Sequence, residues 1–329
     1  MTMNYPVGVI GAGAWGTALA AVMAEIHEDV LLWALEPEVV EGINGAHENQ
    51  LYLPNRPLSD RIRATGDIAD MAQCGALLLV TPAQHLRRTL QSLPATDAPL
   101  MLCSKGIEAD TQMLMSDVVA ELRPDNALAV LSGPTFAHEV AAGKPTAITL
   151  ACANQALGAQ LMRLVAAPHF RPYWTGDVTG AEIGGAVKNV LAIGCGVVDG
   201  AGLGLNARAA LIARGFAEMQ RYGLARGAEA ETLAGLSGLG DLVLTCSSEN
   251  SRNFSLGRGL GQGKAATELM ADRRTVAEGA FTAPVLQQSA RALGVEMPIV
   301  DAVCALLDGS ANVGEVVQAL LSRPLKAER

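Results

Sequence analysis

Short apolar runs alternate with amphipathic stretches over the first half of the chain. The runs are predicted strands: Val7–Ile10, Val30–Trp33, Ala76–Val80, Pro99–Cys103, Ala127–Leu131, Thr146–Ala151 and, closing the sheet, Phe170–Trp174. The stretches between them have helical spacing: Thr17–Ile26, Gln112–Leu122 and Gln155–Val165. Strands that alternate with helices indicate a mostly parallel sheet covered on both faces, with right-handed crossovers.

The strand pattern stops near residue 180, where helical periodicity takes over. The predicted helices are Ile183–Val198, Ala207–Tyr222, Ala228–Leu236, Ala283–Leu293 and Pro298–Leu307. A chain of 329 residues is long enough for two cores. We therefore predict an α/β fold with a Rossmann-like, doubly wound, mostly parallel sheet in a first domain over residues 1–179. An all-α domain follows over residues 180–329.

Composition narrows the class of protein. The net charge is −9, and a nucleic-acid partner would need a basic face, so none is expected. Six cysteines occur without a Cys-x-x-Cys frame, which favours buried thiols in a reducing compartment and argues against a metal site. We expect no signal peptide, because no basic stretch precedes the first apolar run, and the unbroken apolar runs are far shorter than the ~20 residues of a membrane span. We expect a soluble, cytoplasmic protein.

The glycine-rich sequence GAGAWG at residues 11–16 follows the first strand and opens a helix. Gly11 suits a tight turn, Gly13 a close approach of a pyrophosphate, and Gly16 close packing of the helix on the strand. The helix N-terminus adds free N–H groups for phosphates. This context favours a dinucleotide site over the alternative, a chance glycine-rich turn.

Glu36 follows the second predicted strand, where dinucleotide folds read the 2′ position of the adenosine ribose. A carboxylate there accepts the 2′-OH of NAD and repels the 2′-phosphate of NADP. No lysine or arginine precedes Arg56, so we expect NADH to be used at least as well as NADPH. The alternative is that Glu36 only caps the helix that begins near Pro37.

Lys188 lies within a helix of small and aliphatic residues, and no carboxylate lies one turn away on its own helix. Such a lysine either extends its ammonium group to the surface or serves in a site, where burial lowers its pKa into the range useful for acid–base chemistry. Asn189 beside it either bonds a substrate or packs as an amide between helices.

Other candidate residues lie in loops and at helix ends. Lys105 follows a predicted strand and is either a site residue or a solvated loop lysine. Asp241 opens a helical turn with Thr245 on the same face, and is either a site residue or a helix N-cap. Arg252 precedes a series of glycines and suits a phosphate in a glycine-rich turn; the alternative is an exposed arginine in a mobile loop.

Seven ordered segments of the chain resemble the bacterial NAD(P)-dependent glycerol-3-phosphate dehydrogenases over nearly its whole length. They are GAGAWGTALA at 11–20, SKGIE at 104–108, SGPTFAHEVAAGKPTAI at 132–148, EIGGAVKNVLAIG at 182–194, NARAALIARGFAEM at 206–219, GLGDLVLTC at 238–246 and SRN at 251–253.

The resemblance implies roles at the matching positions. Lys188 is the implied catalytic acid/base. The implied substrate contacts are Lys105, Gly133, Thr135, Lys188, Asp241, Ser251, Arg252 and Asn253. The implied cofactor contacts are Ala14, Trp15, Lys105, Ala137, Arg252, Val276 and Glu278. Two positions depart from the family pattern: Ala14 stands where many members have serine, and Leu35 where many have histidine or arginine.

The implied reaction is reversible hydride transfer between NAD(H) or NADP(H) and the dihydroxyacetone phosphate/glycerol 3-phosphate pair, which feeds glycerophospholipid synthesis. A homodimer is the expected assembly. Two alternatives remain at this point: another two-domain dehydrogenase of the β-hydroxyacid or 6-phosphogluconate type, and a protein that senses NAD(H) without chemistry.

Overall fold

The computed structural model describes residues 5–271 and 277–324, and an eight-stranded sheet forms its N-terminal part. The strands are β1 (Val7–Ile10), β2 (Val30–Trp33), β3 (Glu48–Asn49), β4 (Leu53–Pro57), β5 (Ile62–Thr65), β6 (Leu77–Leu79), β7 (Leu100–Leu102), β8 (Leu128–Ser132), β9 (Thr146–Ala151) and β10 (Phe170–Thr175). The order in the large sheet is β10-β9-β8-β7-β6-β1-β2-β5, while β3 and β4 pair separately.

Helices cover this sheet and then form the rest of the chain. Those of the N-terminal part are α1 (Ala14–Ile26), α2 (Pro37–Ala46), α3 (Leu86–Ser92), α4 (Met115–Leu122), α5 (Ala137–Val140) and α6 (Gln155–Val165). Those of the C-terminal part are α7 (Val178–Gly200), α8 (Gly204–Ala225), α9 (Ala230–Leu233), α10 (Asp241–Cys246), α11 (Arg252–Gly261), α12 (Ala266–Leu269), α13 (Glu278–Ala292), α14 (Pro298–Asp308) and α15 (Val313–Leu321).

The predicted α/β class and the helical C-terminal part are confirmed. Within the large sheet only the β8–β9 pairing is antiparallel. The chain leaves β1 toward β2 on one side and later returns to β6 on the other side. This reversal opens a crevice at the carboxyl ends of β1 and β6, which is where such sheets bind ligands.

Helix α7 is the core of the C-terminal part, and residues 180–198 of it are all buried. Its length and mean hydropathy would allow it to cross a membrane, but the apolar window is wholly buried inside the protein. Helices α8, α10, α11 and α13 pack around it. The sequence predicts a helix here but no stretch long enough to cross a membrane, because Glu182 and Lys188 interrupt its apolar residues.

The glycines after Arg252 do not form the glycine-rich phosphate turn that we predicted, and the prediction is wrong. They belong to α11 and let it lie directly on α7. A Cβ atom at Gly257 would fall 1.9 Å from the carbonyl oxygen of Ile193, and one at Gly261 would fall 2.4 Å from that of Val197. These glycines therefore allow two helix backbones to touch. Arg252 begins α11 rather than lying in a loop.

Several boundaries also differ from the prediction. The short strand β5 was missed because its two buried residues are only Ile62 and Ala64, and alanine is a poor strand former. Helix α9 ends at Leu233, before the predicted Leu236, because the segment Leu236–Gly240 winds as a π helix. Helix α7 begins two residues before residue 180, and we retain the domain boundary at 179/180 as a proposal.

Candidate active site

A fully buried carboxylate joins two lysines from different parts of the fold. Asp241 has no exposed surface. Its Oδ1 accepts a hydrogen bond from Lys188 Nζ at 2.7 Å, and its Oδ2 accepts one from Lys105 Nζ, also at 2.7 Å. The side chain of Lys188 is 8% exposed and that of Lys105 is 15% exposed. Neither lysine is solvated at the surface, so both surface alternatives are wrong.

Further hydrogen bonds complete the coordination of this cluster. Lys188 Nζ donates to Thr245 Oγ1 at 2.8 Å, and Thr245 donates to Asp241 Oδ1 at 3.3 Å. Lys105 Nζ donates to the Gly133 carbonyl oxygen at 3.3 Å. Because the Asp241 carboxylate is committed to the lysines and Asp241 is itself the first residue of α10, the N-cap alternative is wrong.

Two adjacent glycines of α7 let the other elements approach Lys188. A Cβ atom at Gly184 would lie 2.4 Å from the Ser237 carbonyl oxygen, so the π-helical segment before Asp241 presses on α7 there. A Cβ atom at Gly185 would lie 3.2 Å from Cγ of Lys105. The glycines thus bring Asp241 and Lys105 close to the same helix, and π turns are frequent at such functional positions.

The cluster leaves Lys188 poised for proton transfer. Burial lowers the pKa of the Lys188 ammonium group to about 8; the Asp241 charge and hydrogen bond oppose this shift, while the Lys105 charge adds to it. A lysine with a pKa near the working pH can both give and take a proton.

An amide network lies beside the cluster. Asn253 Nδ2 donates to Asn189 Oδ1 at 3.0 Å, and Asn253 Oδ1 accepts from the Gly279 N–H at 2.9 Å. Asn253 therefore ties together α11, α7 and α13, and Asn189 bonds this amide rather than the lysine cluster. Ser251 caps α11, since its hydroxyl oxygen accepts from the Phe254 N–H at 3.2 Å.

Arg252 and Glu278 complete the charged surroundings. The exposed Arg252 begins α11 and forms no hydrogen bond with any described residue. Glu278 begins α13 and is partly buried. Burial raises the pKa of the Glu278 carboxyl, while the charges of Arg252, Lys105 and Lys188 oppose the shift. Val276, a predicted cofactor contact, lies outside the described residues.

The predicted dinucleotide loop has the geometry of a phosphate cradle. Gly11 has φ +113°, and a Cβ atom there would lie 3.1 Å from the Val80 backbone. A Cβ atom at Gly16 would fall 1.8 Å from the Gly11 carbonyl oxygen, whereas one at Gly13 would meet no atom within 4 Å. Gly11 and Gly16 are therefore packed closely against neighbouring backbone, as predicted. Only Gly13 of the three borders open space, directly before the N-terminus of α1.

Unpaired buried polar atoms surround this loop and fit a dinucleotide. Trp15 Nε1 and the Thr81 hydroxyl have no hydrogen-bond partner among the described residues. The Thr81 carbonyl oxygen accepts from the Ser104 hydroxyl, next to Lys105, so the loop and the lysine cluster border one crevice. Ala14 and Ala137 are the first residues of α1 and α5. Thr135 Oγ1 donates to the Gly133 carbonyl oxygen at 3.4 Å, and the same carbonyl accepts from Lys105.

Thr81 and Ser132 stand at the ends of two predicted strands that the sequence indicates as the rim of one site, but the sequence predicts no role for either side chain. Both hydroxyls are buried without a partner in the described part of the chain. In the sequence, each is recognisable only as a polar residue directly after an apolar predicted strand.

No group of three potential metal ligands occurs among the described residues.

Two family models match the chain. The model described as NAD-dependent glycerol-3-phosphate dehydrogenase N-terminus matches residues 6–158, and the corresponding C-terminus model matches residues 177–318. The chain belongs to the NAD-dependent glycerol-3-phosphate dehydrogenase family.

Individual members of this family are similar to the chain over nearly its full length. The chain is 62% identical to glycerol-3-phosphate dehydrogenase [NAD(P)+] of Erythrobacter litoralis over 326 residues, which are 99% of this chain and 98% of the relative. It is 62% identical to the protein of the same name from Novosphingobium aromaticivorans over 327 residues, 99% of each chain. The crystal structure of glycerol-3-phosphate dehydrogenase from Coxiella burnetii has a TM-score of 0.91 at 37% identity, covering 98% of this chain and 100% of that one.

The lysine pKa of this family member can be measured directly. The chain has only five lysines, at positions 105, 144, 188, 264 and 326, so isotope-labelled methyl groups on their amines give few NMR signals. We expect one signal, absent in Lys188→Met, to titrate near pH 8. Asp241→Asn should lower this pKa because a carboxylate is lost, and Lys105→Met should raise it because a like charge is lost.

A Lys188 signal that titrates near the ordinary value of 10.5 would contradict the buried cluster. Shifts of the same sign in the Asp241 and Lys105 variants would contradict the opposed charges. Lys144→Met is the control, because Lys144 pairs with Glu139 on an exposed surface.

Proposed function

We propose that this protein is a glycerol-3-phosphate dehydrogenase that reduces dihydroxyacetone phosphate to sn-glycerol 3-phosphate and catalyses the reverse reaction. The observation that carries the proposal is the Lys188–Asp241–Lys105 cluster. Ser104, next to Lys105, bonds the Thr81 carbonyl oxygen, and the backbone before Thr81 packs against Gly11 of the glycine-rich loop. The product is a building block of glycerophospholipids.

The chemistry divides between the cofactor and the lysines. When bound, NADH or NADPH supplies the hydride that the substrate carbonyl carbon accepts. The ammonium group of Lys188 stabilises the negative charge that develops on the carbonyl oxygen and gives it a proton. In the reverse direction the neutral amine takes the hydroxyl proton while hydride leaves the carbon.

The residues around Lys188 hold it for this task. Asp241 and Thr245 each accept a hydrogen bond from the Lys188 amine, and together they fix its position. Lys105 adds positive field at the developing charge. Asn189 supports the site through Asn253, to which it is hydrogen-bonded.

The substrate phosphate takes the position beside α11. The Arg252 guanidinium bonds no other described residue and can form a charge-assisted bond to phosphate. Ser251 and Asn253 add polar groups at the same helix N-terminus. Gly133 and Thr135 border the substrate from the end of β8.

The cofactor takes the crevice at the carboxyl ends of β1 and β6. The loop of Gly11, Gly13 and Gly16 would hold its pyrophosphate, with the open space at Gly13 and the N–H groups that begin α1. The remaining proposed contacts are Ala14, Trp15, Glu36, Lys105, Ala137, Arg252, Val276 and Glu278. Both NAD(H) and NADP(H) are substrates of this site, with NADH used at least as well, because Glu36 follows β2.

We also propose a cytoplasmic homodimer. All six cysteines are buried and unpaired, which suits a reducing compartment. A twofold dimer is the commonest assembly of soluble enzymes.

Lys188→Met should remove turnover of dihydroxyacetone phosphate with NADH while leaving NADH binding intact. Loss of a preorganised electrostatic group costs roughly 10²–10³-fold in kcat, and loss of the proton donor adds to this. The measurements are the disappearance of NADH absorbance and a fluorescence titration of NADH. Lys144→Met is the matched control. Turnover in Lys188→Met near that of the unaltered protein would contradict the assignment.

Arg252→Ala should raise KM for dihydroxyacetone phosphate about tenfold or more, because a charge-assisted bond is lost. KM for unphosphorylated dihydroxyacetone should change far less. The matched control is Arg258→Ala in the same helix, where Arg258 pairs with Glu249 and Asp199. An equal rise in KM for both substrates would contradict the phosphate contact and would mean that Arg252 supports the fold or binds the cofactor.

A further inference from the structure

The carboxylate that follows β2 is held by a tyrosine from another segment. The Tyr52 hydroxyl donates to Glu36 Oε1 at 2.8 Å. Glu36 stands at the N-cap position of α2, but its side chain makes no capping hydrogen bond, so the alternative that it only caps the helix is wrong. Its other oxygen, Oε2, bonds no described residue.

Tyr52 is itself tied to the dinucleotide loop. Its backbone N–H donates to Asn49 Oδ1 at 3.1 Å. Asn49 is 1% exposed, and its Nδ2 donates to the Ala12 carbonyl oxygen and to Thr17 Oγ1, each at 2.8 Å. One buried amide therefore fixes the segment carrying Tyr52 against the loop that faces the pyrophosphate position.

The phenol is a lasting donor in this arrangement. Burial raises the pKa of Tyr52 to about 12, and the hydrogen bond to Glu36 and the charge of Glu36 add to the shift. Tyr52 thus remains protonated at neutral pH and keeps its hydrogen bond.

A fixed carboxylate discriminates at the 2′ position better than a rotating one. Glu36 with Oε1 bound to Tyr52 presents Oε2 as an acceptor for a ribose 2′-OH. Held by this hydrogen bond, it turns away less readily from a 2′-phosphate, whose negative charge it repels.

We propose that Tyr52 is a positioning residue for cofactor choice: by holding Glu36 it favours NADH over NADPH. The inference rests on the proposed function only in that this crevice binds the dinucleotide. It adds a residue outside the segments in which the family resemblance was found.

The test is the ratio of the Kd for NADPH to the Kd for NADH, measured by fluorescence titration without substrate. Tyr52→Phe removes one oxygen atom and should lower the ratio about three- to tenfold, the range of one hydrogen bond. Glu36→Gln keeps the phenol but removes the charge, and should lower the ratio at least as much. Adding Tyr52→Phe to Glu36→Gln should then change the ratio little.

The matched control is Tyr173→Phe, because Tyr173 is half-exposed on β10 and far along the sheet from β2. An unchanged ratio in Tyr52→Phe would overturn the inference, as would equal weakening of both cofactors. A Tyr52→Phe effect of full size in the Glu36→Gln background would show that Tyr52 acts without Glu36, which also overturns it. Failure of the unaltered protein to bind either cofactor would instead refute the proposed function.

Discussion

One buried carboxylate, Asp241, compensates two ammonium groups, and the arrangement of the site depends on it. Two like charges brought into the interior repel each other and lose their hydration, so each needs an opposite charge in direct contact. Lys105 comes from the end of the strand β7 and Lys188 from the middle of α7. Asp241 therefore also joins the sheet to the helical part. Removal of its charge would leave two uncompensated lysines in one crevice.

Glycine makes this contact possible, because the elements that carry the three charged residues must approach each other at backbone distance. Gly184 and Gly185 open two adjacent positions of α7, one toward the segment before Asp241 and one toward Lys105. The same helix accepts α11 through Gly257. A helix so closely packed is rigid, and rigidity keeps the Lys188 amine in place for proton transfer.

Unbroken apolar sequences were sufficient to predict the central strands, and an ammonium group without a local partner was sufficient to identify Lys188. Both signals are local. The missing features are not local: β5 has only two buried residues, and the carboxylate partner of Lys188 lies 53 residues away in the chain. The Asn49–Tyr52 segment has no periodicity, so its link to Glu36 appears only in the fold. The glycines after Arg252 gave a wrong prediction, because a series of glycines is as typical of a close contact between helices as of a phosphate-binding turn.

The central claim is that the amine of Lys188, with its pKa near 8, exchanges the proton of the reaction. The most direct test is the pH dependence of kcat in both directions, at fixed ionic strength and with saturating substrates. Reduction needs the protonated amine, so its kcat should fall as pH rises through about 8. Oxidation needs the neutral amine, so its kcat should rise through the same range. Parallel pH dependences in the two directions would contradict the account.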